Sequence, residues 1–217
     1  MEETVEKERQ LHLMEFNALQ EQINPHVLYN TLDSVMRMME TNRPEDAIVM
    51  IESLSKFFRI GLNRGNNLIS VEKELEHVEN YLTIQKIRFK QSFTSEIYMS
   101  EGVRGLTCPK LILQPIVENA IVHGVSNLSG CKILIYAKRE GDKLCIAVEN
   151  DGLGFPPDRL QILQEALRQG VQMDDSDVQG IGLGNTNRRI QLLYGREYGI
   201  SIESEAEEKT CVTITLP

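Results

Sequence analysis

The sequence lacks an excess of positive charge, a long apolar run and a secretion signal. Its 217 residues carry 23 Lys and Arg against 32 Asp and Glu, a net charge of -9. This balance argues against a general nucleic-acid-binding protein, because phosphate backbones need clustered cations. Without a signal peptide or an apolar stretch long enough to cross a bilayer, we expect a soluble, cytoplasmic chain. It starts in a charged helical segment, which suggests a piece of a longer protein.

A cysteine pattern typical of a metal site is also missing. The four cysteines, Cys108, Cys131, Cys145 and Cys211, have no metal-ligand spacing. Three of the four lie in apolar, strand-like runs. We therefore favour buried free thiols in a reducing compartment, with a disulfide pair as the alternative.

The first 90 residues lack strand-like alternation and contain two glycines, Gly61 and Gly65. Three helices are predicted there: one up to about Glu40, one from Pro44 and one capped by Ser70. Glu72 and Glu74 lie in the first turn of the third helix, where the helix dipole favours negative charge. The predicted apolar stripes are Leu28, Leu32, Val35 and Met39, then Ile48, Ile51, Leu54 and Phe58, then Leu75, Val78 and Leu82.

A short link joins the first two predicted helices, so we expect them to pack as an antiparallel hairpin. So thin a hairpin leaves apolar surface exposed. Dimerisation into a four-helix bundle would cover that surface.

The second part of the chain, residues 91–217, differs from the first in its predicted secondary structure, which consists of short strands, turns and helices. Strands are predicted in "FTSEIYMS", "CKILIYAKRE", "KLCIAVEND" and a final hairpin, with a turn at Gly141-Asp142. Helices are predicted from about Pro109, near "DRLQILQEALRQG" and from Thr186. This order indicates an α+β chain whose second domain is an α/β sandwich, with one sheet and helices on one face.

Three segments of this second part carry polar or glycine-rich motifs. In "VENAIVHG", helical spacing places Asn119 and His123 one turn apart on a shared face, beside Glu118. In "NDGLGF", Asp151 ends a strand as an acceptor suited to an amine, and Gly152 and Gly154 allow close backbone approach.

The third segment, "GIGLGN" at residues 180–185, precedes a predicted helix. Its backbone N–H groups are suited to cradle an anion. The segment is neither a dinucleotide fingerprint nor a Walker A loop, because it is one glycine short of the former and lacks the Lys-Ser/Thr ending of the latter.

The order of these motifs resembles the GHKL ATP-binding family, which includes histidine kinases and type II topoisomerases. The resemblance covers about residues 93–217 and implies that Asn119 holds the Mg²⁺ that bridges the phosphates of ATP, with His123 assisting from the same face. It implies that Asp151 contacts the adenine amine and that residues 155–180 contain a mobile lid. The other implied nucleotide contacts are Gly152, Gly154, Gly180, Gly182, Leu183, Gly184 and Asn185.

Over nearly its whole length, the chain resembles LytS/YesM-type sensor histidine kinases. The motifs that carry the resemblance are "QINPHVLYNTLDSV", "LSKFFR", "VEKELEHVENYLTIQKIRF" and "LILQPIVENAIVHG". It implies that His26 accepts the phosphoryl group within a dimerisation region at residues 1–90, that residues 91–217 form the catalytic ATP-binding domain, and that the chain forms a homodimer. It also implies a response-regulator receiver domain as partner and a membrane anchor upstream of this cytoplasmic portion.

Two positions depart from the family pattern. Val27 follows the histidine where many other histidine kinases carry a carboxylate, so the base for His26 is undefined. Val122 replaces a frequent lysine, so the phosphate contacts are redistributed.

The helical period supports a reactive role for His26. At roughly 100° per residue, His26 shares one strip with Asn30, Asp33 and Arg37, opposite the stripe that begins at Leu28. Pro25 marks either a helix start capped by Asn24 or a kink in a longer helix. For His12 and His77 we expect inert surface histidines.

Several alternatives stay open from the residues alone. Either Glu118 polarises a nucleophile or it supports Asn119. Arg188 and Arg189 either reach the phosphates or are solvated charges on the helix surface. For the whole chain, the alternatives are a GHKL ATPase or protein kinase acting on another substrate and a non-catalytic signalling scaffold that binds nucleotide.

Overall fold

The computed structural model describes residues 25–62, 67–90, 92–125, 130–170, 181–206 and 208–217. The side chains of residues 25, 26, 123–125 and 181 lie outside this description, as do residues His12 and Gly180. The chain divides into two compact units, Met1–Asn66 and Asn67–Pro217.

In the first unit, the described residues form a helical hairpin of α1 (Pro25–Glu40) and α2 (Pro44–Gly61). Pro44 occupies the first turn of α2, as predicted, where its missing N–H costs no hydrogen bond. Asn42 adopts a positive φ of 57° in the link between the helices. The hairpin buries Val27, Thr31 and Met38 of α1 and Ala47, Met50, Leu54 and Phe57 of α2.

The predicted apolar stripes of this hairpin are only partly buried. Leu32 is 44% exposed and Met39 61%, whereas Thr31 is 2% exposed. Thr31 belongs to the buried face because its hydroxyl donates to the Val27 carbonyl at 2.6 Å, which leaves its methyl group for packing. In α2, Leu54 is buried as predicted, but Ile48 and Ile51 are exposed.

The second unit contains eleven helices and strands among its described residues, apart from one short 3₁₀ turn. In chain order they are β1 (Leu68–Ser70), α3 (Val71–Arg88), β2 (Phe93–Met99), β3 (Thr107–Pro109), α4 (Gln114–Val125), β4 (Cys131–Glu140), β5 (Lys143–Asn150), α5 (Pro157–Gln169), α6 (Ile181–Tyr194), β6 (Gly199–Glu205) and β7 (Lys209–Leu216).

Five of these strands form one sheet in the order β2-β4-β5-β7-β6. The β2–β4 pair is parallel, and the other pairs are antiparallel. Alternate residues such as Ile133, Ile135, Ile146 and Ile214 are fully buried, because helices α4, α5 and α6 contact this sheet. The predicted α/β sandwich and the turn at Gly141-Asp142 are confirmed.

Helix α3 begins after Ser70, whose hydroxyl accepts the Lys73 N–H at 3.3 Å, as its predicted cap role requires. The helix packs within the second unit, where it contacts β1, β2, β3 and α4. It is buried on most of its circumference. The expectation that His77 is a surface residue is wrong, because His77 is 1% exposed on this helix.

Two predicted helix starts are wrong. The helix expected from Pro109 begins at Gln114, because Thr107–Pro109 pairs with Leu68–Ser70 and Leu111 takes a positive φ of 58°. The helix expected from Thr186 begins at Ile181, so Gly182 and Gly184 lie in its first turns.

The cysteine prediction is confirmed for three residues. All four thiols are free; Cys108, Cys131 and Cys145 are buried, and Cys211 is partly exposed. Burial raises the pKa of Cys131 to about 12. In the part of the chain that the structure describes, every helix is too short or too polar to cross a membrane.

Candidate functional site

Helix α4 directs Asn119 into a cavity on the buried face of the sheet. The Nδ2 atom of Asn119 is fully buried and has no hydrogen-bond partner. The same cavity is lined by Gly154 and Leu183, so three residues predicted from separate motifs meet there. A buried amide without a protein partner costs free energy unless a ligand completes it. We therefore take this cavity as the candidate nucleotide site.

The loop after β5 requires glycine at position 154. Gly154 has a φ of +68°, and a Cβ there would lie 2.5 Å from the Glu205 carbonyl oxygen. Gly141 has a similar φ of +60°, but its Cβ would meet nothing within 4 Å. The next residue, Phe155, donates its N–H to Ser204 Oγ at 2.9 Å. These contacts hold the loop against the β6–β7 hairpin at the edge of the cavity.

Asp151 lies at the end of β5, next to the cavity but outside its lining. Its carboxylate accepts the backbone N–H of Lys132 at 2.5 Å, and its own N–H donates to the Lys132 carbonyl at 3.3 Å. The side chain is exposed and Gly152 beside it is buried. Its exposed carboxylate can accept a second donor from a ligand.

The glycine segment of residues 180–185 reaches the same site through α6. Gly182 packs against α4, because a Cβ there would lie 3.3 Å from Pro115 Cβ. Leu183 is 1% exposed and lines the cavity, while Gly184 is half-buried and Asn185 exposed. Gly180 and the side chain of His123 lie outside the described residues, so their predicted contacts remain predictions.

Glu118 faces a different direction from Asn119. Its carboxylate accepts a hydrogen bond from Gln114 Nε2 at 2.8 Å. Burial, and after it the charge of Glu118, raises the pKa of Tyr81 on α3. Of the two arginines considered for phosphate binding, Arg189 donates to the Lys110 carbonyl, and Arg188 is exposed. Neither Glu118 nor Arg189 lines the cavity.

A buried carboxylate organises the start of α4. Glu74 is 0% exposed and accepts the N–H groups of Leu111, Ile112 and Leu113 at 2.8–2.9 Å. Burial raises the pKa of Glu74, while the three N–H donors and the charge of Arg189 lower it. Glu74 thus satisfies three backbone donors of the segment that leads into α4.

Sequence reasoning missed three polar residues of the site. Asn150 and Thr210 line the cavity and are 6% exposed each. The period-2 pattern of "TCVTITLP" would have placed Thr210 on the inward face with Val212 and Ile214. The role of Glu74 has no local signal, because its partners are 37 to 39 residues away.

The residues present fit a magnesium–nucleotide complex. Among the described residues, no three His, Cys, Asp or Glu side chains gather as a metal cluster. Mg²⁺ bound to a nucleotide takes most of its ligands from phosphates and water, so one amide oxygen suffices. Asn119 can present either its amide nitrogen or its oxygen to the cavity by rotation of the side-chain amide.

The sheet, the buried asparagine and the glycine-containing loops define a nucleotide-binding ATPase domain. Residues 107–217 match the family of histidine kinase-, DNA gyrase B- and HSP90-like ATPases, and the chain belongs to this family. Residues 14–93 match the histidine kinase family. Together with the relatives below, the two matches place the chain among the LytS/YesM-type sensor histidine kinases.

Two relatives illustrate the extent of the similarity. Sensor histidine kinase YesM of Bacillus subtilis (strain 168) is 35% identical over 218 residues, which cover 100% of this chain and 36% of YesM. Sensor histidine kinase BtsS of Escherichia coli (strain K12) is 31% identical over 204 residues, 94% of this chain and 33% of BtsS. The chain therefore spans about a third of the length of these relatives.

Solved structures share the fold at lower identity. The catalytic domain of histidine kinase ThkA aligns with a TM-score of 0.51 at 20% identity, over 69% of this chain and 93% of that domain. The histidine kinase domain from Erythrobacter litoralis EL346 aligns with a TM-score of 0.51 at 12% identity, over 93% of this chain and 92% of that domain. At these identities, the likeness establishes the fold alone.

Proposed function

We propose that the chain is the core of a two-component sensor kinase that transfers the γ-phosphoryl group of ATP to His26. The observation that carries this proposal is the unpartnered Nδ2 of Asn119 in a cavity shared with Gly154 and Leu183, in a chain that also holds the Pro25-His26 element. The phosphoryl group then passes to an aspartate of a response-regulator receiver domain. This division assigns phosphoacceptance to residues 1–90 and ATP binding to residues 91–217.

The transfer is a substitution at the γ-phosphorus. The bond to the β–γ bridging oxygen breaks, a bond to an imidazole nitrogen of His26 forms, ADP leaves with the electron pair, and the ring loses its proton. A bound Mg²⁺ supplies charge neutralisation on the phosphates. Asn119 would hold that ion, and Asp151 would accept the adenine amine. The first turn of α6 would offer the N–H group of Gly182 to phosphate, and Gly184 and Asn185 would lie beside the phosphates.

Dimerisation is the second part of the proposal, and an exposed apolar face on the hairpin supports it. On α1, exposed large apolar residues recur at intervals of three and four, within an arc of roughly 80°. They are Tyr29, Leu32, Met36 and Met39, and α2 adds Ile48, Val49 and Ile51. Monomeric proteins rarely leave so many apolar side chains together in water. A second hairpin of the same kind would cover them as a four-helix bundle.

The location of the protein is the third part. The relatives are about three times as long as this chain, so we propose that it is the cytoplasmic portion of a protein anchored through upstream segments.

The decisive experiment is incubation with γ-labelled ATP and Mg²⁺. We expect label that is acid-labile and alkali-stable, as a phosphoramidate is, and we expect it to disappear in His26→Ala. His12→Ala is the matched control and should keep the label. Label that survives in His26→Ala would exclude His26 as acceptor. ATP binding without any label would favour the nucleotide-binding scaffold, and release of inorganic phosphate without label would favour a GHKL ATPase.

A further inference from the structure

One hydroxyl group joins the two segments that form a wall of the nucleotide cavity. Ser204 lies near the end of β6, directly opposite Thr210 of β7 in the strand register. Its hydroxyl accepts the Phe155 N–H at 2.9 Å and donates to the Lys209 carbonyl at 3.1 Å. The Thr210 hydroxyl lies 2.9 Å from the same oxygen and can donate to it. Ser204 therefore connects the β6–β7 hairpin to the loop that follows β5.

The residues that Ser204 holds are residues of the cavity lining. Gly154, Phe155 and Thr210 line the cavity, whereas Ser204 is half-buried and outside the lining. Gly154 approaches this strand so closely that an added Cβ would lie 2.9 Å from Ser204 Oγ. Ser204 thus sets the position of the wall through its neighbours and would not contact the ligand itself.

The local sequence leaves the loop few other anchors. The two residues after Phe155 are prolines, which have no N–H, so Phe155 carries the last backbone donor before the first turn of α5. At the start of the loop, the Asp151 N–H donates to the Lys132 carbonyl at 3.3 Å. Residues 151–155 are therefore held by β4 at one end and by β6 at the other. Without the Ser204 hydroxyl, the end that lines the cavity would lose its hydrogen bond to β6.

This loop would meet the base of the nucleotide rather than its phosphates. Asp151, at the start of the loop, is the residue proposed above to accept the adenine amine. Asn119 and the first turn of α6 are proposed to meet the Mg²⁺ ion and the phosphates. A looser loop should therefore weaken contacts with the base and leave the contacts with the phosphates intact.

We infer that Ser204 is a positioning residue for nucleotide binding, whose hydroxyl holds Gly154 and Phe155 as a wall of the adenine pocket. It sets the affinity for the nucleotide rather than the rate of phosphoryl transfer, an assignment that rests on the function proposed above. A wall that is already in place spares the bound nucleotide the free-energy cost of ordering the loop.

The first test is Ser204→Ala, which removes the hydroxyl alone. We expect the dissociation constant of ATP, measured by calorimetry, and the KM for ATP in the labelling reaction to rise about tenfold, the effect of one lost hydrogen bond. The kcat of labelling should stay within about twofold, because binding is lost equally in the ground state and the transition state. The ratio of ATP dissociation constants in EDTA and in Mg²⁺ should also stay within about twofold, since Asn119 is unchanged.

Two further variants separate this role from a general loss of stability. Ser204→Thr keeps the hydroxyl and should retain ATP affinity within about threefold. Gln164→Ala is the matched control, because Gln164 Nε2 donates to the Ile202 carbonyl of the same strand at 2.8 Å from outside the nucleotide cavity. This control should lower the Tm and leave the ATP dissociation constant unchanged.

Three outcomes would overturn the inference. The first is an ATP affinity in Ser204→Ala equal to that of Gln164→Ala. The second is an affinity in Ser204→Thr as weak as that of Ser204→Ala, because the hydroxyl would then not be the cause. The third is a fall in kcat at constant KM, which would assign Ser204 to the transfer step.

The readouts keep this inference and the proposed function distinct. If the unchanged chain binds ATP and is never labelled, the proposed kinase function fails, and the dissociation constants of the three variants still decide the role of Ser204. If the unchanged chain is labelled at His26 and Ser204→Ala binds ATP equally well, the inference fails and the proposed function stands.

Discussion

His77 places a titratable ring in the interior of the second unit. It is 1% exposed, and burial lowers its pKa from the ordinary 6.5 to about 4. The folded protein therefore keeps this imidazole neutral at pH values where the unfolded chain already binds a proton. Stability from this residue is present above pH 6.5 and is lost as the pH falls from 6.5 toward 4.

We predict a measurable acid sensitivity from this single residue. The loss should approach about 1.4 kcal/mol per pH unit below 6.5, or roughly 3 kcal/mol by pH 4. In His77→Gln this component should vanish, so its stability should depend less on pH in that window. Urea unfolding followed by circular dichroism at pH 7.5, 6.5, 5.5 and 4.5 measures both curves. Parallel curves for the two proteins would show that His77 does not titrate as its burial implies.

The junction between α3 and α4 depends on one carboxylate. Glu74 satisfies three backbone donors at a bend where Leu111 has a positive φ. Removal of the carboxylate would leave those N–H groups without an acceptor in a buried place, and each unsatisfied group costs about 1–3 kcal/mol.

We predict that Glu74→Ala lowers the free energy of unfolding by at least about 3 kcal/mol. Glu72→Ala is the control, because Glu72 lies in the same first helical turn and shares any interaction with the helix dipole. It should cost less than about 1 kcal/mol. Urea midpoints compare the two variants. A similar, small loss in both would mean that water replaces the Glu74 carboxylate at the three N–H groups.

Elements whose signals are local could be predicted from the sequence. The Ser70 cap, the Pro44 start and the Gly141-Asp142 turn each depend on residues within a few positions. The start of α4 could not, because Glu74 and the pairing of Leu68–Ser70 with Thr107–Pro109 act across tens of residues. The same distinction holds at the site. Asn119, Gly154 and Leu183 were found through motifs, whereas Thr210, which lines the same cavity, belongs to none of them.

For the whole molecule, the exposed apolar face of the hairpin predicts self-association. We predict that Met36→Glu converts a dimer into a monomer, because Met36 is 58% exposed at the centre of that face and a buried charge without a partner is costly. Asp33→Lys changes the charge on the polar strip of the same helix and should leave the dimer intact. Light scattering during gel filtration gives both masses. A dimer that persists in Met36→Glu would place the interface elsewhere.

The position of α3 has a practical consequence for dissecting the protein. Matches by sequence assign residues up to 93 to the histidine kinase region, yet α3 packs with the nucleotide-binding unit, which begins at Asn67. A fragment cut at residue 91 would lose Glu74, Tyr81 and strand β1, and with them the acceptor for three N–H groups of the helix that carries Asn119. A separately expressed ATP-binding domain of this protein should therefore begin before Leu68, so that the fragment includes α3.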